Sequence, residues 1–156
     1  MTLLTGDEII EIAIRLEKQG EAFYVEAAES AITTRVKVLF LDLAEQERHH
    51  RRAFQQMGRD LVELALSPDE WDQFQAYTGA LLQQRLFDKP HGALSRAAGA
   101  MEEGELLRAA LDFEKESLLF YYELREALSG AAQQVLDDII QEEKRHIRRL
   151  SGMLPA

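Results

Sequence analysis

Cysteine is absent from the sequence, and its absence excludes several kinds of site. Without thiolates the chain can form no disulfide, no zinc–thiolate site and no iron–sulfur cluster. Residues that break helices are also few, with three prolines and nine glycines in 156 residues. The abundant residues are instead alanine, leucine, glutamate, glutamine and arginine, which favour helices. The composition therefore predicts an all-α protein.

Basic residues are outnumbered by acidic ones, 18 to 28, which gives a formal net charge of −10. Such a charge makes nucleic acids and anionic membranes poor partners. No stretch approaches the roughly 20 apolar residues that a membrane-spanning helix needs, and residues 1–7 lack the basic and apolar segments of a signal peptide. We therefore expect a cytoplasmic protein with no nucleic-acid or membrane partner, folded as a single domain over residues 1–156.

Capping and breaking residues divide the chain into four long helices and a short one. Thr5-Gly6-Asp7-Glu8 fits a capping box that opens the first helix. Ser67-Pro68-Asp69-Glu70 combines an N-cap serine, a proline at the first helical position and a glutamate at the third. Gly58 and the pair Ser129-Gly130 are expected to end helices. The predicted helices cover about residues 5–29, 35–57, 68–84, 102–128 and 131–153, and segment 87–92 is predicted to be a loop.

Two short-linked pairs of long helices, separated by one long crossover, describe a four-helix bundle of the ferritin-like kind. In this arrangement two helix hairpins are joined by a crossover that contains the short helix. We expect the short helix to place Trp71, Phe74 and Tyr77 on or near its inner face.

The two halves of the chain repeat one pattern, in which a lone glutamate is followed about one helix later by a Glu-x-x-His pair. The residues are Glu17, Glu47 and His50 in the first half and Glu114, Glu143 and His146 in the second. Phe-Tyr pairs at 23–24 and 120–121 align in the same register. Each half is therefore predicted to form one hairpin, and the two hairpins to face each other around a pseudo-twofold axis.

All four of these glutamates lie on helix faces that are otherwise apolar. Positions three, four and seven residues away share a helix face, and around Glu17 they include Ile10, Ala13, Ile14 and Tyr24. A buried, unpaired carboxylate costs several kcal/mol, and four converging carboxylates would also repel each other. Because two divalent cations would balance four negative charges, the pattern predicts a pair of metal ions inside the bundle.

The type of ligand narrows the choice of metal. Carboxylate-rich sites with one imidazole per ion suit iron or manganese, and the absence of thiolate argues against a structural zinc site. We predict two iron ions per chain, with manganese as the alternative and zinc as a replacement in isolated protein. By symmetry, Glu47 and Glu143 would bridge the ions, while Glu17 and Glu114 would each bind one.

Four neighbouring residues have two open interpretations. Tyr24 and Tyr121 lie two turns along the same faces, where they either donate hydrogen bonds to the carboxylates or belong to the core. Gly20 and Ser117 lie one turn after the lone glutamates, where small residues leave space for a partner side chain or for oxygen at the metals.

A single Glu-x-x-His pair is weak evidence, because a surface ion pair can have the same spacing by chance. The repetition of the whole set favours metal binding. Other polar residues are expected outside the site: His49 facing solvent, His91 in a loop, Glu21 packing at the rim, and Arg48, Arg51 and Arg52 on a solvated face.

The residues around the repeated glutamates resemble those of a known family. Glu17-Lys-Gln-Gly-Glu-Ala-Phe-Tyr24 and Leu43-Ala-Glu-Gln-Glu47-Arg-His-His50 are similar to the rubrerythrin-like branch of the ferritin-like diiron proteins. Glu114-Lys-Glu-Ser-Leu-Leu-Phe-Tyr121 and Gln141-Glu-Glu143-Lys-Arg-His146 resemble the second half of that pattern. The resemblance implies a non-haem diiron site, bound by the six repeated residues, that reacts with hydrogen peroxide or dioxygen.

Two features depart from that family. Rubrerythrins proper carry a rubredoxin-type iron domain as electron donor, which a chain without cysteine cannot build. They also place a further glutamate one turn after the third-helix ligand, where this chain has Ser117. The resemblance therefore implies a chain that depends on an external electron donor.

The expected function is that of an oxidoreductase, a rubrerythrin-like peroxidase that reduces hydrogen peroxide or dioxygen and so counters oxidative stress. One alternative is a ferroxidase that serves iron storage or delivery, and another is a catalytically silent bundle stabilised by metal. A homodimer is expected from the acidic surface and the amphipathic crossover helix.

Overall fold

The fold was determined as a computed structural model, which describes residues 6–60, 66–83 and 102–155. These residues form helices and no strand. The helices are α1 (Gly6–Ser30), α2 (Thr34–Arg59), α3 (Pro68–Gln83), α4 (Glu103–Ala127) and α5 (Gly130–Met153).

The four long helices form a bundle of two hairpins. α1 packs along α2, and α4 packs along α5. The hairpins face each other through contacts of α1 with α4 and of α2 with α5, while α3 lies against α4. The all-α four-helix bundle expected from the sequence is confirmed. In the described part of the chain, no helix combines the length and hydrophobicity that crossing a membrane requires.

The predicted helix ends agree with the structure to about one residue, except at the end of α2. Gly58 does not stop this helix, which continues to Arg59. The Asp60 N–H donates to the Gln56 carbonyl at 3.0 Å and so closes the last turn, which offsets the roughly 1 kcal/mol that glycine costs in a helix. Thr5 and the predicted loop 87–92 lie outside the described residues.

The capping box predicted at the start of α3 is present. The Ser67 N–H donates to Glu70 Oε2 at 2.9 Å, and the Glu70 N–H donates to Ser67 Oγ at 3.3 Å. These bonds satisfy N–H groups that a helix start leaves without partners. The bond from the Ser67 backbone also lowers the pKa of the exposed Glu70.

The inner face of α3 differs from the prediction at one position. Phe74 is buried and stacks on the half-buried Trp71, with ring centroids 5.8 Å apart. Tyr77, however, is 47% exposed. The buried side of α3 is centred on Phe74 and Thr78, and Thr78 Oγ1 donates to the Phe74 carbonyl at 2.7 Å. Tyr77 projects to one side of this face, so its placement there was wrong.

Turns hold the two hairpins in register. The α4–α5 turn requires Gly130, whose φ of 60° lies in the left-handed region that favours glycine. The α1–α2 turn is tied to the start of α4, because Thr33 donates to Glu103 through its N–H at 3.1 Å and through Oγ1 at 2.6 Å.

The core consists of two apolar clusters with a polar layer between them. One cluster gathers the start of α1, the end of α2, the second half of α4 and the start of α5, and it includes Ile9, Leu16, Phe54 and Phe120. The other gathers the opposite ends of the same helices and includes Phe23, Phe40, Leu43 and Leu106. Along every long helix the repeated glutamates and histidines fall between the two clusters. The fold therefore brings all six residues to the middle of the bundle.

Candidate metal centre

All six residues of the repeated pattern are buried in this polar layer. Their exposed fractions lie between 0% and 3%. The residues are Glu17, Glu47, His50, Glu114, Glu143 and His146. Burial of this many ionisable side chains is unusual, because each charge loses its hydration.

The six side chains form two overlapping groups of potential metal ligands. One group contains Glu17, Glu47, His50 and Glu143, and the other contains Glu47, Glu114, Glu143 and His146. Within each group, one potential ligand atom from each residue lies within 4.8 Å of all the others. Glu47 and Glu143 belong to both groups, as carboxylates that bridge two metal ions would. Glu17 and Glu114 each belong to one group.

Both histidines turn their Nδ1 atoms towards the carboxylates. His50 Nδ1 lies 3.0 Å from Glu143 Oε1 and 3.6 Å from Glu17 Oε1. His146 Nδ1 lies 3.1 Å from Glu143 Oε2 and 3.5 Å from Glu114 Oε1. The two rings stack with centroids 5.7 Å apart. Nδ1 is therefore the nitrogen that each histidine could offer to a metal.

Two buried tyrosines hold the lone glutamates across the bundle. The Tyr24 hydroxyl donates to Glu114 Oε1 at 2.6 Å, and the Tyr121 hydroxyl donates to Glu17 Oε1. Burial raises the pKa of both tyrosines, and the nearby carboxylates raise it further, so both keep their protons and act as donors. Of the two interpretations left open by the sequence, the structure therefore shows hydrogen bonding to the site, made by tyrosines that are also fully buried.

Gly20 makes room for one of the shared carboxylates. A Cβ atom at this position would lie 2.6 Å from Glu47 Oε2 and 2.9 Å from Phe113 Cε1. A side chain here would force Glu47 or Phe113 to shift, so glycine suits the point where α1 passes Glu47. The corresponding residue of the second half, Ser117, is buried, and its hydroxyl has no hydrogen-bond partner.

Burial also changes the protonation of the carboxyl groups. It raises the pKa of Glu114 to about 8, with a contribution from Glu143. It raises the pKa of Glu47 well above the usual value, and Glu143 and Glu17 add to this shift. The pKa of Glu143 is lowered, because its interactions with Glu114 and the two histidines outweigh the effect of burial. The cluster therefore mixes protonated and ionised carboxyl groups.

The two histidines hold protons more strongly than usual. Burial alone would lower their pKa values, but the surrounding carboxylates outweigh it. Glu114 and Glu143 raise the pKa of His146 to about 9. For His50, whose pKa is also raised, the charge of Glu17 makes the largest of the carboxylate contributions. Metal ions must displace such protons in order to bind.

Unpartnered oxygen atoms show that the cluster suits metal ions. Glu17 Oε2, Glu47 Oε1 and Glu114 Oε2 are buried and have no hydrogen-bond partner. A buried acceptor without a partner costs about 1–3 kcal/mol. Carboxylate oxygens with two imidazoles are ligands that iron and manganese accept. A metal pair would use these oxygens and neutralise the charge that burial makes unfavourable.

One residue close to the site was missed by the sequence reasoning. Glu142 Oε2 lies 2.5 Å from His50 Nε2, on the side of the ring that faces away from the cluster. This bond lowers the pKa of Glu142. Its position directly before Glu143 was the available signal, but the matching residue of the first half is Gln46, so the repeat did not reveal it.

The residues expected outside the site are placed as follows. The side chain of His49 is 60% exposed, which confirms that it faces solvent. Glu21, at the rim, accepts from Arg48 Nε at 3.0 Å and from Arg51 Nη1 at 2.7 Å. Arg48 and Arg51 are thus partly buried in an ion-pair cluster, whereas Arg52 is exposed as expected. His91 lies outside the described residues.

Comparison with known proteins agrees with this geometry. The model of the rubrerythrin family matches residues 8–154. Among solved structures, the chain is similar to one from Thermotoga maritima, described as a ferritin-like diiron-carboxylate protein. The two share 31% sequence identity over 98% of this chain and 96% of that one, with a TM-score of 0.70. A search of curated proteins finds no match. The buried Glu/His cluster, the ferritin-like bundle and the family match lead to one conclusion: the chain belongs to the rubrerythrin family.

Proposed function

We propose that the polar layer binds two iron ions and that the protein reduces hydrogen peroxide with electrons from an external donor. The observation that carries this proposal is the sharing of Glu47 and Glu143 between two complete groups of buried ligands. A site for a single ion would not need the second glutamate–histidine set. The composition of the groups, carboxylates with one histidine each, suits iron or manganese, and the resemblance to diiron proteins favours iron.

The bound ions would supply the electrons of the reaction. A diferrous pair would provide one electron per ion, so that hydrogen peroxide and two protons would become two water molecules and the ions would end as ferric. An external reductant must then return two electrons.

The protein side chains would hold the ions and control their surroundings. Glu47 and Glu143 would bridge the two positions, Glu17 with His50 would complete one, and Glu114 with His146 the other. The tyrosine hydroxyls keep the lone glutamates oriented. The apolar clusters on both sides of the layer limit the access of bulk water, which strengthens the electrostatic interactions inside it.

The test is anaerobic loading with ferrous iron, followed by addition of hydrogen peroxide or air while the absorption spectrum is recorded. We expect two irons per chain, fast oxidation by peroxide with one peroxide consumed per two irons, and slow oxidation by air. Failure to bind stoichiometric iron would contradict the proposal.

A ferroxidase that handles iron for storage or delivery is the second candidate. The net charge of −10 favours it, because an acidic protein attracts cations. This function predicts fast oxidation by air and uptake well beyond two irons per chain. The same titration therefore separates the two functions.

A further inference from the structure

We infer that Glu142 is a positioning residue that makes the two metal positions unequal, with the position beside His50 binding its ion more tightly. The inference rests on the proposed pair of metal ions and assigns a role to a residue outside the six potential ligands. It starts from the contact of His50 Nε2 with Glu142 Oε2 at 2.5 Å.

The two nitrogens of His50 have separate partners. Nδ1 faces Glu143 and Glu17 inside the cluster, whereas Nε2 faces Glu142 on α5. An ionised carboxylate can only accept a hydrogen bond, so Nε2–H is the donor to Glu142. In the neutral ring, the lone pair then lies on Nδ1, which points at the cluster. Glu142 thus selects the form of the ring that can bind a metal.

The environment of Glu142 suits this role. The His50 side chain is 2% exposed, while that of Glu142 is 33% exposed. Arg145 Nη2 lies 3.8 Å from the other oxygen of Glu142. The carboxylate therefore remains partly hydrated and charged, and it meets a histidine that the core holds in place. A hydrogen bond between a ligating histidine and a carboxylate raises the basicity of the ring and fixes its orientation.

The repeat does not provide the same carboxylate for the other half. The residue aligned with Glu142 is Gln46, whose amide carries no charge. The six potential ligands are thus matched between the halves, but the position that precedes the Glu-x-x-His pair is an acid in one half and an amide in the other. We therefore expect the metal pair to be chemically asymmetric although its ligands are symmetric.

The experiment is a titration of the metal-free protein with Co²⁺, followed by calorimetry and by proton NMR of the loaded protein. For the unchanged chain we expect two binding steps of different affinity. Glu142→Gln removes the charge and keeps the shape, and it should weaken the tighter step about tenfold or more while leaving the weaker step in place. Glu142→Asp, which restores the charge, should recover part of the loss.

NMR provides a readout that a purely structural role would not change. Paramagnetic Co²⁺ shifts the ring N–H signals of bound histidines outside the spectral range of the other protein protons. We expect one such signal for each histidine. Glu142→Gln should move the signal of His50 and leave that of His146. Glu45→Gln is the matched control, since Glu45 contacts Arg48 and His49 instead of His50.

Two results would overturn the inference in different ways. If two ions bind and Glu142→Gln changes neither affinity nor the His50 signal, Glu142 has no positioning role, and the proposed function stands. If the unchanged chain binds no metal at the cluster, the proposed function fails and the inference fails with it.

Discussion

The two hairpins, α1–α2 and α4–α5, carry the same set of potential ligands. The ligands of each hairpin are nevertheless held in place by residues of the other hairpin. Tyr24 of the first hairpin donates to Glu114 of the second, and Tyr121 of the second donates to Glu17 of the first. His50 likewise lies against Glu143. The repeated unit of the sequence is thus one hairpin, whereas the site needs two hairpins.

The halves differ where residues border the site. Gly20 corresponds to Ser117, and Gln46 corresponds to Glu142. Glu21, which pairs with two arginines, corresponds to Leu118, which packs against the core. The six potential ligands are thus the same residue types in both halves, whereas the residues beside them differ in size and charge.

The largest expected effect is the loss of bound metal when a glutamate that belongs to both ligand groups is replaced. Glu47→Ala or Glu143→Ala should remove both metal ions, because each residue belongs to both ligand groups. Glu17→Ala or Glu114→Ala should remove only one. Iron per chain after anaerobic loading and desalting measures this, with Glu45→Ala as the control. Full occupancy in Glu47→Ala would show that the ligands are assigned wrongly.

Alanine should have opposite effects on stability at Gly20 and at Ser117, the small residues at matching positions of the two halves. Gly20→Ala gains about 1 kcal/mol of helix propensity but places a methyl group 2.6 Å from Glu47 Oε2, and such overpacking costs about 1–3 kcal/mol. Ser117→Ala removes a buried hydroxyl that has no partner and should be neutral or stabilising. Thermal unfolding of the metal-free variants tests this. Equal effects at the two positions would contradict it.

The pH dependence of stability tests the protonation of the potential ligands that the second hairpin contributes. Glu114, with its pKa raised from 4.5 to about 8, and His146, raised from 6.5 to about 9, bind protons more strongly in the folded state. The stabilisation that these two groups contribute is therefore fully present below their ordinary pKa values and is lost as pH rises, between about 4.5 and 8 for Glu114 and between 6.5 and 9 for His146. The metal-free protein should lose on the order of a few kcal/mol in the free energy of unfolding.

Bound metal should reduce this pH dependence, because the ions replace the protons. Thermal unfolding across this pH range, with chelator and with metal, measures both curves. A metal-free protein that becomes more stable from pH 6 to pH 9 would contradict the assignment.

Loss of either crossed hydrogen bond should affect one metal ion and leave the other in place. Tyr24→Phe should weaken the ion held by Glu114, and Tyr121→Phe the ion held by Glu17, each by the roughly 1.5–3 kcal/mol typical of a hydrogen bond to a charged group. Tyr122→Phe, at a position 38% exposed, is the control. Calorimetric titration with Co²⁺ would show one weakened step in each variant. Loss of both steps would mean that the tyrosines stabilise the whole bundle instead.

The sequence predicted the bundle and the location of the six buried residues because both follow from helical periodicity. A glutamate whose neighbours at three, four and seven residues are apolar must face the core. Glu142 escaped this reasoning, since adjacent residues on a helix point about 100° apart and its contact depends on how α2 and α5 are rotated against each other. Tyr77 was misplaced for a similar reason: the direction in which α3 faces is set by packing on α4.

The position of the polar layer between two apolar clusters affects how the bundle should unfold. Without metal, no ion links the four helices at this layer, so each end can open with its own free energy. Two bound ions would link all four helices at this layer and make the ends open together. Hydrogen exchange of the backbone should then show two protection levels in the metal-free protein and a single level in the loaded one. In this bundle the cofactor would determine the size of the cooperative unit as well as the chemistry.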